Sequence, residues 1–356
     1  MPKRVTLKDV AALAGVSYQT VSKVINHKAQ VTEDTRRRIW SAVEELRYRP
    51  NVIARSLQGN RTRTIGFTIR SISQGISDPF LNELLTSMVE AAGRHEYDVL
   101  VSVTEPGDRE MNTYERLIKT GRIDGLIVDG TTRRDERLAY LSQEKFPFIA
   151  FGRSELDMDF PFVDVDNFTG MYQVIEHLIA MGHQRIAFVG LSPEPPSGHD
   201  QPASEDLSQQ SFCAYERRRG YEAALAAHDM PLDPDLILSS QIREEGGYQA
   251  AVSLLDRTTP PTAAACCSDL VALGFMRAVR ERGMDVGPRL AVSGFDGIPL
   301  SAYTHPPLTT VKQPIKKIGE LLVNTLVHII ESTELPERQI LLMPELIVRQ
   351  STTGWA

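Results

Sequence analysis

Cysteine is scarce, at three in 356 residues. Cys213 stands alone. Cys266 and Cys267 are neighbours, and neighbours on a strand point to opposite faces, which makes a poor metal clamp. All three read as small buried hydrophobes, as suits a reducing compartment. No apolar run is long enough to cross a bilayer, and the opening residues MPKRVTLKDV hold no apolar signal core, so the expectation is a cytoplasmic protein. A Gly-x-Ser-x-Gly elbow, a phosphate loop, a Rossmann glycine fingerprint and a His-Glu-x-x-His pair are all missing. The eight histidines show no metal-ligand spacing, and His177 and His183, in a helix-to-strand stretch, read as structural. No catalytic residue, metal or cofactor is therefore expected. No repeat of 20–50 residues is apparent either.

What is present is an ordinary globular composition with an uneven charge. The hydrophobic share is 42% and the charged share 24%, and the length fits two or three domains. The net charge is -7, yet residues 1–60 hold 11 Lys+Arg against 5 Asp+Glu, while the remaining 296 hold 28 against 41. A basic head on an acidic body is the pattern of a nucleic-acid-binding module joined to something else.

The head predicts three short helices. Thr6 and Asp9 form a capping box (Asp standing in for Glu) that opens a helix through about Ala14. Gly15-Val16-Ser17 makes a tight turn, with Ser17 placed to N-cap a second helix. A third starts at Thr32-Glu-Asp-Thr35 and carries Ile39, Val43 and Leu46 at helical spacing. Two helices joined through a glycine turn and closed by a third form a helix-turn-helix, whose second helix enters the major groove by its N-terminal residues. Val21, Val24 and Ile25 face inward on that helix, and Tyr18, Gln19, Ser22 and Lys23 crowd the opposite face. A glutamine amide can bond an adenine edge and a lysine can reach guanine. Ser17, Thr20, Asn26 and the helix N-terminus can bond phosphates, and Thr6 joins the candidate DNA-facing set. A small bundle with a merely polar face is the competing reading. The basic stretch RPNVIARSLQGNRTRT, Arg49 to Thr64, then reads as a hinge in which Asn51 to Gln58 make about two helical turns that order on DNA.

From Thr64 onward, apolar strand-like runs alternate with amphipathic helices: TIGFTI (64–69), YDVLVSV (97–103), GLIVDG (125–130), FPFIAF (146–151), RIAFVG (185–190), TAAACC (262–267) and LAVSGF (290–295). This predicts parallel sheets covered on both faces. Leu191 to Gln210, rich in Ser, Pro and Gly, reads as a long loop. Ligands of open α/β sheets bind beyond the carboxyl ends of strands. Asp296, Ser268-Asp269, Gly152-Arg153 and the Asp78-Pro79-Phe80 loop all fall at or shortly after such ends, and Arg217 lies near the start of a helix. Carboxylates for paired hydroxyls, an arginine fork and an aromatic face suit a saccharide. Each residue also has a plainer use. Asp296-Gly297 is good turn chemistry, Ser268 or Asp269 can cap a helix, Phe80 can be core, and most of Glu216-Arg-Arg-Arg219 should be solvated.

VTLKDVAALAGVSYQTVSKVIN, PNVIARSL, EHLIAMGHQRIAFVG, SDLVALGFMRAV and SGFDG…PPLTTVKQP together resemble the LacI/GalR family of bacterial transcription regulators, over nearly the whole chain. The resemblance implies an all-α helix-turn-helix domain (1–50), a hinge (51–63) and a two-lobed periplasmic-binding-protein-like α/β domain (64–356) for effector binding and dimerisation. The N-lobe is expected at about 64–164 and 314–342, the C-lobe at about 165–313 and 343–356, with crossings near 163–167, 309–315 and 342–345. It further implies a homodimer on a pseudo-palindromic operator, with Leu57 as a minor-groove wedge and Ala54 as the small residue where paired hinges meet. Phe80, Arg217, Asp269 and Asp296 match the family's effector residues. GVSYQTVS is identical to the recognition segment of a lactose-responsive member, but Gly152-Arg153 and Ser268 depart from its pocket. The expected effector therefore shifts to a glucoside or oligosaccharide, and the chain is expected to regulate, as a repressor, genes of carbohydrate use. It ends without the leucine-heptad tail that would add a tetramer. The alternatives are a purine-responsive or protein-partnered regulator, or a sugar-binding protein without DNA function.

Overall fold

Runs such as TIGFTI and GLIV are apolar at nearly every position because both faces of their strands are covered. In the computed structural model, which describes residues 5–25, 31–48, 61–69, 78–104, 108–191, 211–333 and 337–354, they are β1 (Thr64–Ile69) and β3 (Gly125–Val128), and β3 is buried throughout. The chain divides into two units, Met1–Thr62 and Arg63–Ala356.

The first unit holds α1 (Leu7–Ala14), α2 (Tyr18–Ile25) and α3 (Glu33–Glu45). Thr6 donates to Asp9 Oδ2 from its backbone N–H at 2.8 Å and its hydroxyl at 2.7 Å, tying down the start of α1. Gly15, at φ 63°, ends α1 in the left-handed conformation that glycine adopts at least cost. Val10, Ala11, Ala14, Val21, Val24, Ile39, Ala42 and Tyr48 form the small core.

The second unit holds two six-stranded sheets. The first has the order β11-β5-β4-β3-β1-β2, adding β2 (Asp98–Val103), β4 (Phe148–Phe151), β5 (Phe162–Val165) and β11 (Gln339–Leu342). The second has the order β12-β10-β9-β8-β6-β7, from β6 (Ile186–Leu191), β7 (Ile237–Ser240), β8 (Ala263–Cys266), β9 (Ala291–Asp296), β10 (Thr309–Lys312) and β12 (Glu345–Ile347). All pairings are parallel except β10 with β12. Helices α4 (Pro79–Arg94), α5 (Asp108–Lys119), α6 (Glu136–Gln143) and α11 (Ile315–Glu331) accompany the first sheet. Helices α7 (Asn167–Ala180), α8 (Phe212–Ala227), α9 (Glu244–Leu255) and α10 (Asp269–Glu281) accompany the second. The chain passes from one lobe to the other between β5 and α7, between β10 and α11, and between β11 and β12.

Two glycines fix how α9 meets α10. A Cβ on Gly247 would stand 1.9 Å from the Val271 carbonyl oxygen, and one on Gly274 would stand 1.7 Å from that of Glu244. The two backbones touch because neither residue has a side chain.

Among the described residues no helix is long and apolar enough to cross a membrane, and no cluster of His, Cys, Asp and Glu could hold a metal.

Candidate functional site

In the helical unit, the exposed face of α2 carries Tyr18 (39% exposed), Gln19 and Lys23, with Ser22 half-buried beside them. Val21 and Val24, on the other face, are buried. Ser17 Oγ accepts the Thr20 N–H at 3.1 Å and lies 2.8 Å from the Thr20 hydroxyl, so it caps the helix and presents its first turn. Thr6 is exposed, with its hydroxyl spent on Asp9. Asn26, Asn51, Ala54 and Leu57 lie outside the described residues, as does 192–210 of the long loop.

In the second unit a cavity of about 200 Å³ lies between the lobes, at the carboxyl ends of the strands of both sheets. Its polar wall comes from Asp78, Asp129, Thr131 and Asp164 of the first lobe and Asn167, Ser211, Arg217, Ser268, Asp296 and Gln313 at or beyond the crossings. Its apolar wall includes Phe80 and Phe151, with rings stacked at 6.1 Å and 17°, and Ile69, Leu81, Leu191 and Ile242.

Arg217 is the cation on that wall, and its orientation is fully specified. Nε donates to Asn167 Oδ1 at 2.8 Å, Nη1 donates to the Cys267 carbonyl, and the guanidinium lies 3.7 Å from the centre of the Phe295 ring. Nη1 also stands 3.9 Å from Asp296 Oδ1. The expected solvated charge run is half internal: Glu216 and Arg217 are each 5% exposed, because their positions on α8 face the lobe interior. Asp296 closes β9 at φ 125°, a left-handed value that an aspartate adopts only when its surroundings hold it there. Its carboxylate accepts from Gln313 Nε2 at 2.8 Å. Burial pushes the Asp296 carboxyl well above the usual carboxylate range, with Arg217 opposing and the Asp269 and Asp78 carboxyls adding to the rise. Burial also raises Asp164, against the pull of Arg153, and Asp78, against backbone hydrogen bonds from Phe80 and Leu81.

Ser268 lines the cavity and also caps α10, accepting the Val271 N–H at 3.2 Å. Phe80 both faces the cavity and packs on the first lobe's core. Two expected effector residues are placed elsewhere. Asp269 is fully buried and off the cavity wall: Oδ1 accepts from the Thr310 hydroxyl at 2.5 Å and Oδ2 from the Ile298 N–H at 2.8 Å. It fastens the turn behind Asp296. Arg153 is also off the wall, with Nε on Asp164 Oδ2 at 2.9 Å and Nη2 on Glu216 Oε2 at 3.4 Å. Cys213, read as a buried hydrophobe, is half-buried and on the wall, and burial raises its thiol pKa.

Asp129, Asp164, Asn167 and Gln313 were not in the expected set. Asp129 and Gln313 directly follow strand ends in GLIVDG and TTVKQP, so the strand-end rule contains them once β10 is recognised. Asp164 and Asn167 sit in a stretch whose sequence marks only a crossing.

Residues 6–51 match the family model for bacterial regulatory proteins of the lacI family, and residues 175–352 match that for a periplasmic binding protein-like domain. The HTH-type transcriptional regulator AglR of Rhizobium meliloti (strain 1021) is 33% identical over 354 residues, covering 98% of this chain and 94% of that protein. The crystal structure of the lac repressor dimer bound to operator and the anti-inducer ONPF has a TM-score of 0.84 at 28% identity, covering 99% of this chain and 100% of that one. A complex of the transcriptional regulator CelR with cellobiose has a TM-score of 0.71 at 29% identity, covering 98% and 100%.

Proposed function

This chain belongs to the bacterial regulatory proteins of the lacI family, and on that premise we propose that it is a sugar-responsive repressor of carbohydrate-utilisation genes. In this reading a homodimer places two copies of α2 on a pseudo-palindromic operator, since two recognition helices are needed for two half-sites. Tyr18, Gln19 and Lys23 read bases, while Ser17, Thr20 and the helix N-terminus reach phosphates. The segment 51–63, with Leu57 as wedge, carries the lobe arrangement to the DNA.

The observation that carries the effector reading is the composition of the inter-lobe cavity. Four carboxyl groups, Asp78, Asp129, Asp164 and Asp296, face one guanidinium, Arg217, beside a stacked Phe80–Phe151 pair. Carboxyls and amides accept and donate to hydroxyls, and an aromatic face covers sugar C–H groups. The wall carries more carboxyls than guanidinium groups, a lining that suits an uncharged polyhydroxyl ligand such as a sugar better than an anion. The cavity, at about 200 Å³, lies below the roughly 300–1,000 Å³ of drug-sized sites, which suits a single ring such as the terminal unit of a glucoside or oligosaccharide. The cellobiose bound by the CelR relative supports that chemistry.

A ligand that prefers one lobe arrangement shifts the population toward it, and a coupling of about 1–3 kcal/mol changes operator affinity by one to two orders of magnitude. Calorimetry with neutral glucosides, sugar phosphates and purine bases tests this, alongside operator binding by fluorescence anisotropy. Neutral sugars should release heat and move operator affinity, and sugar phosphates should do neither. Asp296→Ala should abolish the sugar response while leaving ligand-free DNA affinity near wild type. Tight binding of a purine with no heat from any sugar would overturn the sugar reading and leave the DNA-binding assignment standing.

A further inference from the structure

The first turn of α8 is gripped by the opposite lobe. Phe212 is its first helical residue, and the N–H groups of a first turn have no partner within their own helix. The Phe212 N–H donates instead to the Thr131 carbonyl across the lobe boundary at 2.7 Å, and Thr132 and Ser211 pair as an isolated antiparallel bridge. The Arg133 guanidinium lies 4.2 Å over the Tyr215 ring. Arg153 sits at the centre of this contact. Its carbonyl accepts from the Thr131 hydroxyl at 2.8 Å, its Nε holds Asp164 in its own lobe, its Nη2 holds Glu216 in the other, and its guanidinium lies 5.2 Å from the Phe212 ring centre. The Asp164 and Glu216 side chains are 3% and 7% exposed, so the two ion pairs Arg153 makes are largely shielded from water.

We propose that Arg153 is a bolt between the lobes: by holding the cavity-facing Asp164 and the α8 residue Glu216 on one guanidinium, it keeps the cavity closed and makes occupancy at Asp164 felt at α8. Arg153 follows Gly152, whose φ of 112° suits glycine and whose absent side chain leaves room for the Thr131 hydroxyl, 2.3 Å from where a Cβ would stand. The same end of α8 that Arg153 grips brings Ser211, Cys213 and Arg217 to the cavity wall. Arg219 takes the other oxygen of Glu216 at 2.6 Å, which orients that carboxylate toward Arg153. Thr131, Phe212 and Glu216, which meet across the boundary, lie outside the three chain crossings, so the grip can break while the lobes stay tethered. Arg153 is a positioning residue: it acts on the ligand through Asp164 and on closure through Glu216.

The regulatory meaning of the bolt rests on the sugar-responsive reading above, but its existence does not, and its test uses neither sugar nor DNA. Hydrogen exchange by mass spectrometry on the full ligand-free chain reads the Phe212 amide, whose partner belongs to the other lobe. Arg153→Met and the milder Glu216→Gln should each speed exchange of that amide at least tenfold. Peptides covering β3, β8 and β9 should keep wild-type rates, and the double variant should match Arg153→Met alone. Arg153→Lys, which can reach one carboxylate but not fork to two, should fall between. Unchanged exchange at Phe212 in both single variants would overturn the bolt. So would a uniform acceleration across both sheets, which would make Arg153 a general stabiliser. If the bolt holds and no sugar binds, only the effector reading falls.

Discussion

Asp269 and Asp296 carry the same carboxyl group and follow two strands of one sheet, yet one fastens a turn and the other faces a cavity. Their sequence settings are similar, since each is polar, at or shortly after a strand end, and beside a small residue. The difference arises only when Thr310 and the Ile298 N–H close around Asp269, which requires β10 and a turn some thirty to forty residues away. Arg217 shows the same limit, since its burial depends on which face of α8 packs inward. A histidine offers a sharper test at this scale. His183 is buried, with Nδ1 3.1 Å from the Thr262 hydroxyl, and burial together with nearby His177 pushes its pKa down to about 4 from 6.5. The unfolded chain takes up this proton near pH 6.5 and the folded chain only near 4. Stability from this group is therefore complete above about pH 7 and is lost as pH falls through that window, by on the order of 3 kcal/mol. The raised carboxyls of Asp78, Asp164 and Asp296 work in the opposite sense, favouring the folded state at low pH, so the total acid profile mixes the two. The difference between wild type and His183→Gln isolates the imidazole. Urea midpoints between pH 4 and 7 should fall more steeply for wild type, and parallel curves would rule out this source.

Elements were legible in proportion to how strongly their burial writes itself into the sequence. TIGFTI and GLIV, covered on both sides, read as strands at sight. FVDV, ILSS, QILL and ELI did not, because β7, β11 and β12 are edge strands of only three or four residues and β5 is interrupted by the aspartate it lends to the cavity. The capped helices of the first unit were readable because Thr6, Ser17 and Thr32 mark their starts with side chains that bond the first turn. What the pattern did not mark was contact between helices. Gly274 looks like an ordinary small residue in SDLVALGFMRAV, but Ala there would put a Cβ against the Glu244 carbonyl. Gly274→Ala should force α9 and α10 apart and cost about 1–3 kcal/mol, read as a lowered denaturation midpoint. An unchanged midpoint would mean the helices separate freely. On α2 the expectation is the reverse. Gln19 is exposed, so Gln19→Ala should leave thermal stability intact while weakening specific operator binding by about 1–3 kcal/mol and sparing non-specific binding. Equal loss on all DNA would show that Gln19 touches only the backbone.

At the scale of the molecule, neither lobe is a continuous piece of chain. The first lobe takes its covering helix α11 and its edge strand β11 from beyond the second, and Ile315, Ile318, Leu322, Val323 and Leu326 of α11 are part of its core. A fragment spanning residues 64–165 should therefore remain unfolded by circular dichroism, and adding a separate 314–342 peptide should restore some of its structure. A cooperative unfolding transition in the first fragment alone would contradict the packing described here. The threading also has a consequence in time. As the chain leaves the ribosome, β5 emerges more than 170 residues before β11, its neighbour. At roughly 5–20 residues per second, an apolar face and an open strand edge wait on the order of ten seconds for the segments that cover them. The nascent first lobe is thus a natural client for chaperones, and its yield in the cell depends on how fast translation delivers the distant residues that complete it.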